Sequence, residues 1–201
     1  MEVVYGFHLM RAFVQGDANH VIPPTVLEAL NEAGVFRLLT PQEVRRPRDG
    51  PSDAPRGVGD PGLADCSAAR NGMIISVPNR LACLFPDKAQ EEEEAFGADP
   101  NARVTGVAAP TGIGRRVPGG KRVSGRWSYN SGAPYATWAA VGALLKDEHD
   151  AVVDQALVLI PAANLIVENT WHTAGMRGIA SNTLIGGDVF VPEHRITENP
   201  R

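Results

Sequence analysis

Gly119-Gly120-Lys121-Arg122-Val123-Ser124-Gly125-Arg126-Trp127-Ser128-Tyr129-Asn130-Ser131-Gly132 is the stretch on which the fold turns. Its Gly-Gly pair supplies the backbone freedom of a tight turn, and Val123 then alternates with Ser124 and Arg126 as in a strand with one wet face. The predicted element is a β-hairpin whose second strand runs into a glycine-bounded aromatic segment. Alternation along that strand places Trp127, Tyr129 and Ser131 on one face and Ser128 and Asn130 on the other. Two readings of the aromatics stand. They are core side chains of a β-domain, or they line a slot for a flat ligand, with Ser131 as hydrogen-bond donor and glycine where backbone must approach.

On both sides of this hairpin, residues 99 to 195 keep to the same strand pattern. Val104 to Ala109, Val123 to Tyr129, Trp138 to Leu145, Ala156 to Ile160, Leu165 to Val167 and Leu184 to Val191 are short apolar or alternating runs punctuated by Gly, Pro, Asn and Asp. That pattern predicts an antiparallel barrel or sandwich. Upstream the period changes. Val26, Leu27, Leu30 and Ala33 recur at helical spacing, Pro23 and Pro24 suit a helix start, and Gly34 suits the residue after its end. Helical text covers residues 1 to about 44 and resumes over about 64 to 97. The expected fold class is α+β, with a helical domain over 1–97 and a β-domain over 98–201.

Residues 46 to 62 interrupt the helical text with Pro, Gly, Arg and Asp and almost no large apolar side chains. Such a segment buries too little surface to offset its ordering entropy, so it is expected to be irregular. A linker and an unselected insertion both fit it.

Composition bounds the function. The chain has 201 residues, 43% of them hydrophobic, and a formal net charge of -4. That charge offers no electrostatic case for nucleic acid or an anionic membrane, which leaves small molecules and other proteins as partners. No apolar run approaches spanning length and the first residues lack the layout of a signal peptide, so a cytoplasmic location is expected. Cys66 and Cys83 are too far apart for a CxxC motif and read as free thiols. His8, His20, His149, His172 and His194 show no ligand spacing, so no metal is expected. Trp171 and His172 read as core residues, with His172 a weak candidate for proton transfer. Glu91 to Glu94 reads as a solvated helix face, since neighbouring helical carboxylates diverge. Gly112 and Gly114 are not a nucleotide loop, because no strand-to-helix transition or downstream acid completes that fingerprint.

A second glycine-punctuated stretch, Trp171-His172-Thr173-Ala174-Gly175-Met176-Arg177-Gly178-Ile179-Ala180-Ser181-Asn182, and the run Val191-Pro192-Glu193-His194-Arg195 complete a pattern. Together with the hairpin they resemble the central β-domain of the acyl-CoA dehydrogenase fold. They resemble in particular its flavin-dependent monooxygenase branch, which reads GG-x-x-(V/L)-(S/N)-G-x-W-x-(F/Y)-x-SG, then W-x-x-x-G-(L/M)-RG-x-x-S, then VPEHR. Ile22 to Pro41 and Ser67 to Gly97 resemble the family's early helices. Val107 to Gly114 lacks the acid and Ser-Asp of acyl-CoA dehydrogenases proper, which favours the monooxygenase branch over a dehydrogenase.

The resemblance implies an oxygenase component that takes reduced FMN or FAD from a separate flavin reductase and hydroxylates a small aromatic or amine substrate. It implies that Trp127, Tyr129, Ser131, Arg177 and Ser181 bind the flavin, and it assigns no catalytic residue. Arg177 is open between a ring carbonyl or phosphate and a salt bridge at a turn. The likeness also has gaps. Arg70 stands where the family carries a Trp near the flavin, and Pro78 or Asn79 where it carries a His. Family members continue after VPEHR into a helical bundle absent from these residues. The expectation is therefore an oxygenase component that forms a homo-oligomer or is completed by a helical chain, with an acyl-CoA dehydrogenase-like oxidoreductase and a non-catalytic truncated relative as the alternatives.

Overall fold

The computed structural model describes residues 21–37, 39, 66–91 and 101–198. Helix α1 (Pro24–Glu32) begins as the sequence leads one to expect, with Pro23 extended and Pro24 at the first position, and it buries Val26 and Leu30. Gly34 follows with φ 72°, the left-handed turn that ends the helix, and a 3-10 turn over Val35–Arg37 buries Val35 and Phe36. Helix α2 (Cys66–Ala82) contains Pro78, and the short α3 (Asp87–Glu91) follows it. The segment 46–62 and Glu92 to Glu94 lie outside the described residues. No helix among the described residues is long and apolar enough to cross a membrane.

Seven strands form one sheet: β1 (Val104–Val117), β2 (Gly120–Asn130), β3 (Trp138–Lys146), β4 (Val152–Pro161), β5 (Ile166–Glu168), β6 (Asn182–Pro192) and β7 (Ile196–Glu198). Their order across the sheet is β5-β6-β2-β1-β3-β4-β7. The predicted Gly-Gly hairpin joins β1 to β2, with Val117 paired to Gly120 and Gly119 at φ 81°. A side chain at Gly120 would sit 2.1 Å from the Val191 carbonyl oxygen, so that position has no room for one.

The sheet is mixed, because β1 and β3 run parallel while every other pair is antiparallel. The chain leaves β2 through a 3-10 turn at Ala133–Tyr135 and crosses to the far side of β1, where Thr137 and Trp138 donate backbone N–H to the Arg103 carbonyl. A third strand laid on the other side of β1 from β2 must run parallel to β1.

Trp127 is the centre of the β core and is 0% exposed. Its indole lies against three glycines. Added Cβ atoms at Gly112, Gly125 and Gly186 would come within 2.6, 2.5 and 3.3 Å of the ring. Its Nε1–H donates to the Gly142 carbonyl at 2.8 Å, so the buried polar atom is satisfied. A second cluster joins Ile22, Val26, Leu30, Val35, Phe36, Ile75, Tyr135 and Ala180, seating α1 and α2 beside the sheet. Asn79, fully buried on α2, ties the layers. Its Nδ2 donates to the Phe36 carbonyl at 2.7 Å, and its Oδ1 accepts from the Val104 N–H at 2.7 Å.

Replacing Trp127 by Ala removes the ring that the three glycines accommodate, and none of them can fill the hole. The expected loss is about 3–5 kcal/mol, read as a lowered urea midpoint. A loss below about 1 kcal/mol would show that the ring is not the core's anchor.

Candidate functional site

Strand β2 does not keep its alternation to the end. Pairing with β6 slips between Trp127 and Asn130, and Tyr129 adopts φ 59°. One residue in the left-handed region reverses the side-chain phase. Trp127 is therefore buried while Tyr129 is 75% exposed, which corrects the expectation that Trp127, Tyr129 and Ser131 share one face. Trp127 is a core residue rather than a ligand contact, since a ring with no exposed surface and its N–H already bonded reaches no ligand. Tyr129 is no core aromatic.

Ser131 and Ser181 do come together. Their hydroxyls lie 2.7 Å apart, either able to donate, although fifty residues separate them in sequence. Ser181 is buried and Ser131 half-buried. Thr105 holds the first serine by donating Oγ1–H to the Ser131 carbonyl at 2.6 Å, and the same hydroxyl meets Asn130 Oδ1. The second serine follows a tight loop. Met176 and Ala180, at φ 53° and 47°, bracket a 3-10 turn over Arg177–Ile179. Gly132, at φ 75°, donates its N–H to the Ile179 carbonyl at 3.0 Å and so joins the two stretches at the backbone.

The loop is also bonded to what surrounds it. Asn71 Nδ2 and the Tyr135 hydroxyl each donate to the Gly178 carbonyl at 2.9 Å, and the Tyr135 oxygen accepts from the Ile22 N–H at 2.5 Å. Asn182 Oδ1 accepts from the N–H groups of Thr170 and Trp171 at 3.0 Å each. Arg177 donates Nε–H to the Thr173 carbonyl at 3.0 Å, within its own loop. Trp171 donates Nε1–H to the Met176 carbonyl at 3.2 Å and is half-buried, while His172 is exposed, so neither packs in the core as expected. Both belong to an irregular loop over residues 169–176, which lies on the surface rather than in the sheet.

Among the described residues, five other than glycine have positive φ: Tyr129, Asp150, Met176, Ala180 and Asp188. The two aspartates tolerate that conformation, but Tyr129, Met176 and Ala180 are strained, and all three lie in the two stretches that supply the serine pair. Strain of this kind persists where the surroundings over-determine the backbone, as at ligand sites.

Asn71, Thr105 and Tyr135 have no signal in the sequence, because nothing about a helical Asn or a strand Thr announces its partner. Arg70, where the resemblance leads one to expect a Trp, is exposed on α2.

Elsewhere, a cavity of about 540 Å3 is lined by Arg115, Arg116, Lys146, Asp147, Glu148, His149 and Val153. Two of its cations, Arg115 and Lys146, are paired with Asp150 beside it. Asp150 takes a bond from Lys146 at 2.8 Å and one from Arg115, which hold its carboxyl below the usual range, Lys146 contributing most. That pairing is present at neutral pH and is lost as pH falls through the lowered value. No residue of the serine pair or its support lines this cavity.

No protein-family model matches the chain. It is 36% identical to the oxygenase subunit HsaA of a flavin-dependent monooxygenase from Rhodococcus jostii, over 87% of this chain and 45% of that protein. It is 35% identical, over 63% of its own length and 31% of the relative's, to the oxygenase component of an FADH2-dependent resorcinol hydroxylase from Rhizobium sp.. Among solved structures, XiaF from Streptomyces sp., in complex with FADH2 and glycerol, superposes with a TM-score of 0.87 at 29% identity, over 97% of this chain and 49% of that one. The chain thus spans about half the length of the relatives it matches.

Gly132 tests how tightly the two stretches are joined. A Cβ there would lie 3.2 Å from Asn71 Oδ1 and 3.3 Å from Ile75, on a backbone that disfavours side chains, whereas Gly119 has positive φ and nothing within 4 Å. Gly132→Ala is expected to cost about 2 kcal/mol and Gly119→Ala about 1 kcal/mol. Urea denaturation of both variants checks the order, and an inverted order would show that the contact with Asn71 is slack.

Proposed function

We propose that this chain, a homologue of the oxygenase subunits of flavin-dependent monooxygenases with the acyl-CoA dehydrogenase fold, supplies the β-domain wall that holds reduced flavin for hydroxylation of a small aromatic substrate. The observation that carries the proposal is the Ser131–Ser181 hydroxyl pair at 2.7 Å. One proton is used in the mutual bond. The other, with the remaining lone pairs, is available to a ring carbonyl or nitrogen. A flat heteroaromatic needs such donors on rigid backbone with small residues beside them, and Gly132 and Ala180 adjoin the pair on its two stretches.

When bound, reduced flavin would activate dioxygen for insertion of one oxygen atom into the substrate. The chain's own part is to bind, orient and exclude water. Ser131 and Ser181 would contact the ring system. Tyr129, two residues before Ser131 and exposed, offers an aromatic face, and Arg177 a cation. Trp127 acts only through the strand it anchors. The FADH2 complex of XiaF and the FADH2 dependence of the resorcinol hydroxylase favour FAD over FMN. The relatives' description as oxygenase subunits or components fits a separate reductase that delivers the reduced flavin. A homo-oligomer or a complementing helical chain would enclose the flavin further.

Anaerobic titration with reduced FAD and reduced FMN tests the assignment. Ser131→Ala and Ser181→Ala are each expected to weaken binding about tenfold, the worth of a hydrogen bond in a partly buried site. Binding unchanged in both variants would remove the serine pair from the flavin site. With a flavin reductase, NADH and a panel of phenols, the chain alone is expected to release hydrogen peroxide in excess of hydroxylated product. Stoichiometric hydroxylation by a monodisperse monomer would show instead that it needs no further wall.

A further inference from the structure

We infer that Asn71 of α2 is a positioning residue for the Ser131–Ser181 pair. Its side chain is fully buried and lies between the two stretches that carry the serines. Nδ2 donates to the Gly178 carbonyl at 2.9 Å, three residues before Ser181, and Oδ1 lies 3.2 Å from where a Cβ of Gly132, the neighbour of Ser131, would stand. Oδ1 has no hydrogen-bond partner among the described residues. An unpaired buried carbonyl opposes folding, so an apolar side chain of the same size would serve the core better. What an apolar side chain cannot do is hold Gly178.

Gly178 is the point through which the force passes. A Cβ there would lie 3.2 Å from Ser67 Cβ and 3.5 Å from Ile22, so the loop is already pressed onto the helical layer. The amide of Asn71 and the hydroxyl of Tyr135 meet at its carbonyl from different elements, α2 and the turn after β2. Two donors on one oxygen fix the loop in both direction and distance. With Met176 and Ala180 held at φ 53° and 47°, the loop has little freedom left by the time it reaches Ser181. Asn71 therefore sets the spacing of two hydroxyls it does not touch. Its consequence for flavin affinity rests on the function proposed above, while the positioning itself does not.

A disulfide reports the spacing without flavin. In the Ser131→Cys/Ser181→Cys variant, the two thiols exchange with oxidised glutathione to give one disulfide and two reduced glutathiones, and the equilibrium constant measures how well the pair is held. Asn71→Leu is expected to lower that constant about tenfold and Tyr135→Phe about fivefold, while Val158→Ala, a destabilising change in the β core, leaves it within about twofold. Asn71→Ala, which removes the same donor without adding bulk beside Gly132, is expected to lower the constant as Asn71→Leu does and decides the matter if Asn71→Leu does not fold. A constant unchanged by either substitution, or lowered as much by Val158→Ala, would overturn the inference.

Reduced-FAD binding supplies the second arm. Asn71→Leu is expected to weaken it about tenfold in the parent chain and not further in the Ser181→Ala background; equal losses in both would show that Asn71 does not act through Ser181. If the serine substitutions leave flavin binding untouched, the flavin reading fails, and the disulfide equilibrium still decides the role of Asn71.

Discussion

The indole of Trp127 constrains everything around it. It starts on β2 and donates its N–H to a carbonyl of β3, two strands away in the sheet. The ring can cross only because the intervening strand offers Gly112, and it can lie flat only because Gly125 and Gly186 leave their space open. A large apolar surface and a satisfied polar atom are thus buried together, and three adjacent strands are locked to one register.

That lock also explains the irregularity beside it. Trp127 and Asn130 are both fully buried, yet they stand three residues apart, a spacing that a strand of period two cannot serve. One residue between them has to change phase. Tyr129 does so by entering the left-handed region, and the strand ends with Ser131 turned toward the loop that carries Ser181. The serine pair is a consequence of how the core is packed.

Polar side chains, not apolar contact alone, set the helices against the sheet. Asn79 spans the 3-10 turn and β1, Asn71 reaches the loop before β6, and Tyr135 joins that loop to the chain entering α1. Each bond has one correct geometry, so the layers cannot slide as two greasy faces might. Such rigidity matters wherever polar groups meet a bound molecule, because donors already in place need no reorganisation on binding.

Periodicity and glycine placement in the sequence determined the element types, the Gly-Gly hairpin, the start and end of α1, and the two stretches from which the site is drawn, because these depend on local backbone preferences and burial rhythm. The resemblance to flavin-dependent monooxygenases was legible for the same reason, since its motifs are short and contiguous. Three things waited for tertiary structure. The parallel pairing of β1 with β3 follows from which side of β1 the chain crosses to, a choice no window of sequence contains. The burial of Trp127 and the exposure of Tyr129 follow from a phase slip forced by packing, which alternation by itself would deny. The joining of Ser131 to Ser181, and of Asn71 to Gly178, spans 50 and 107 residues, and hydrogen-bond partners at such separations are decided only when the layers close on one another.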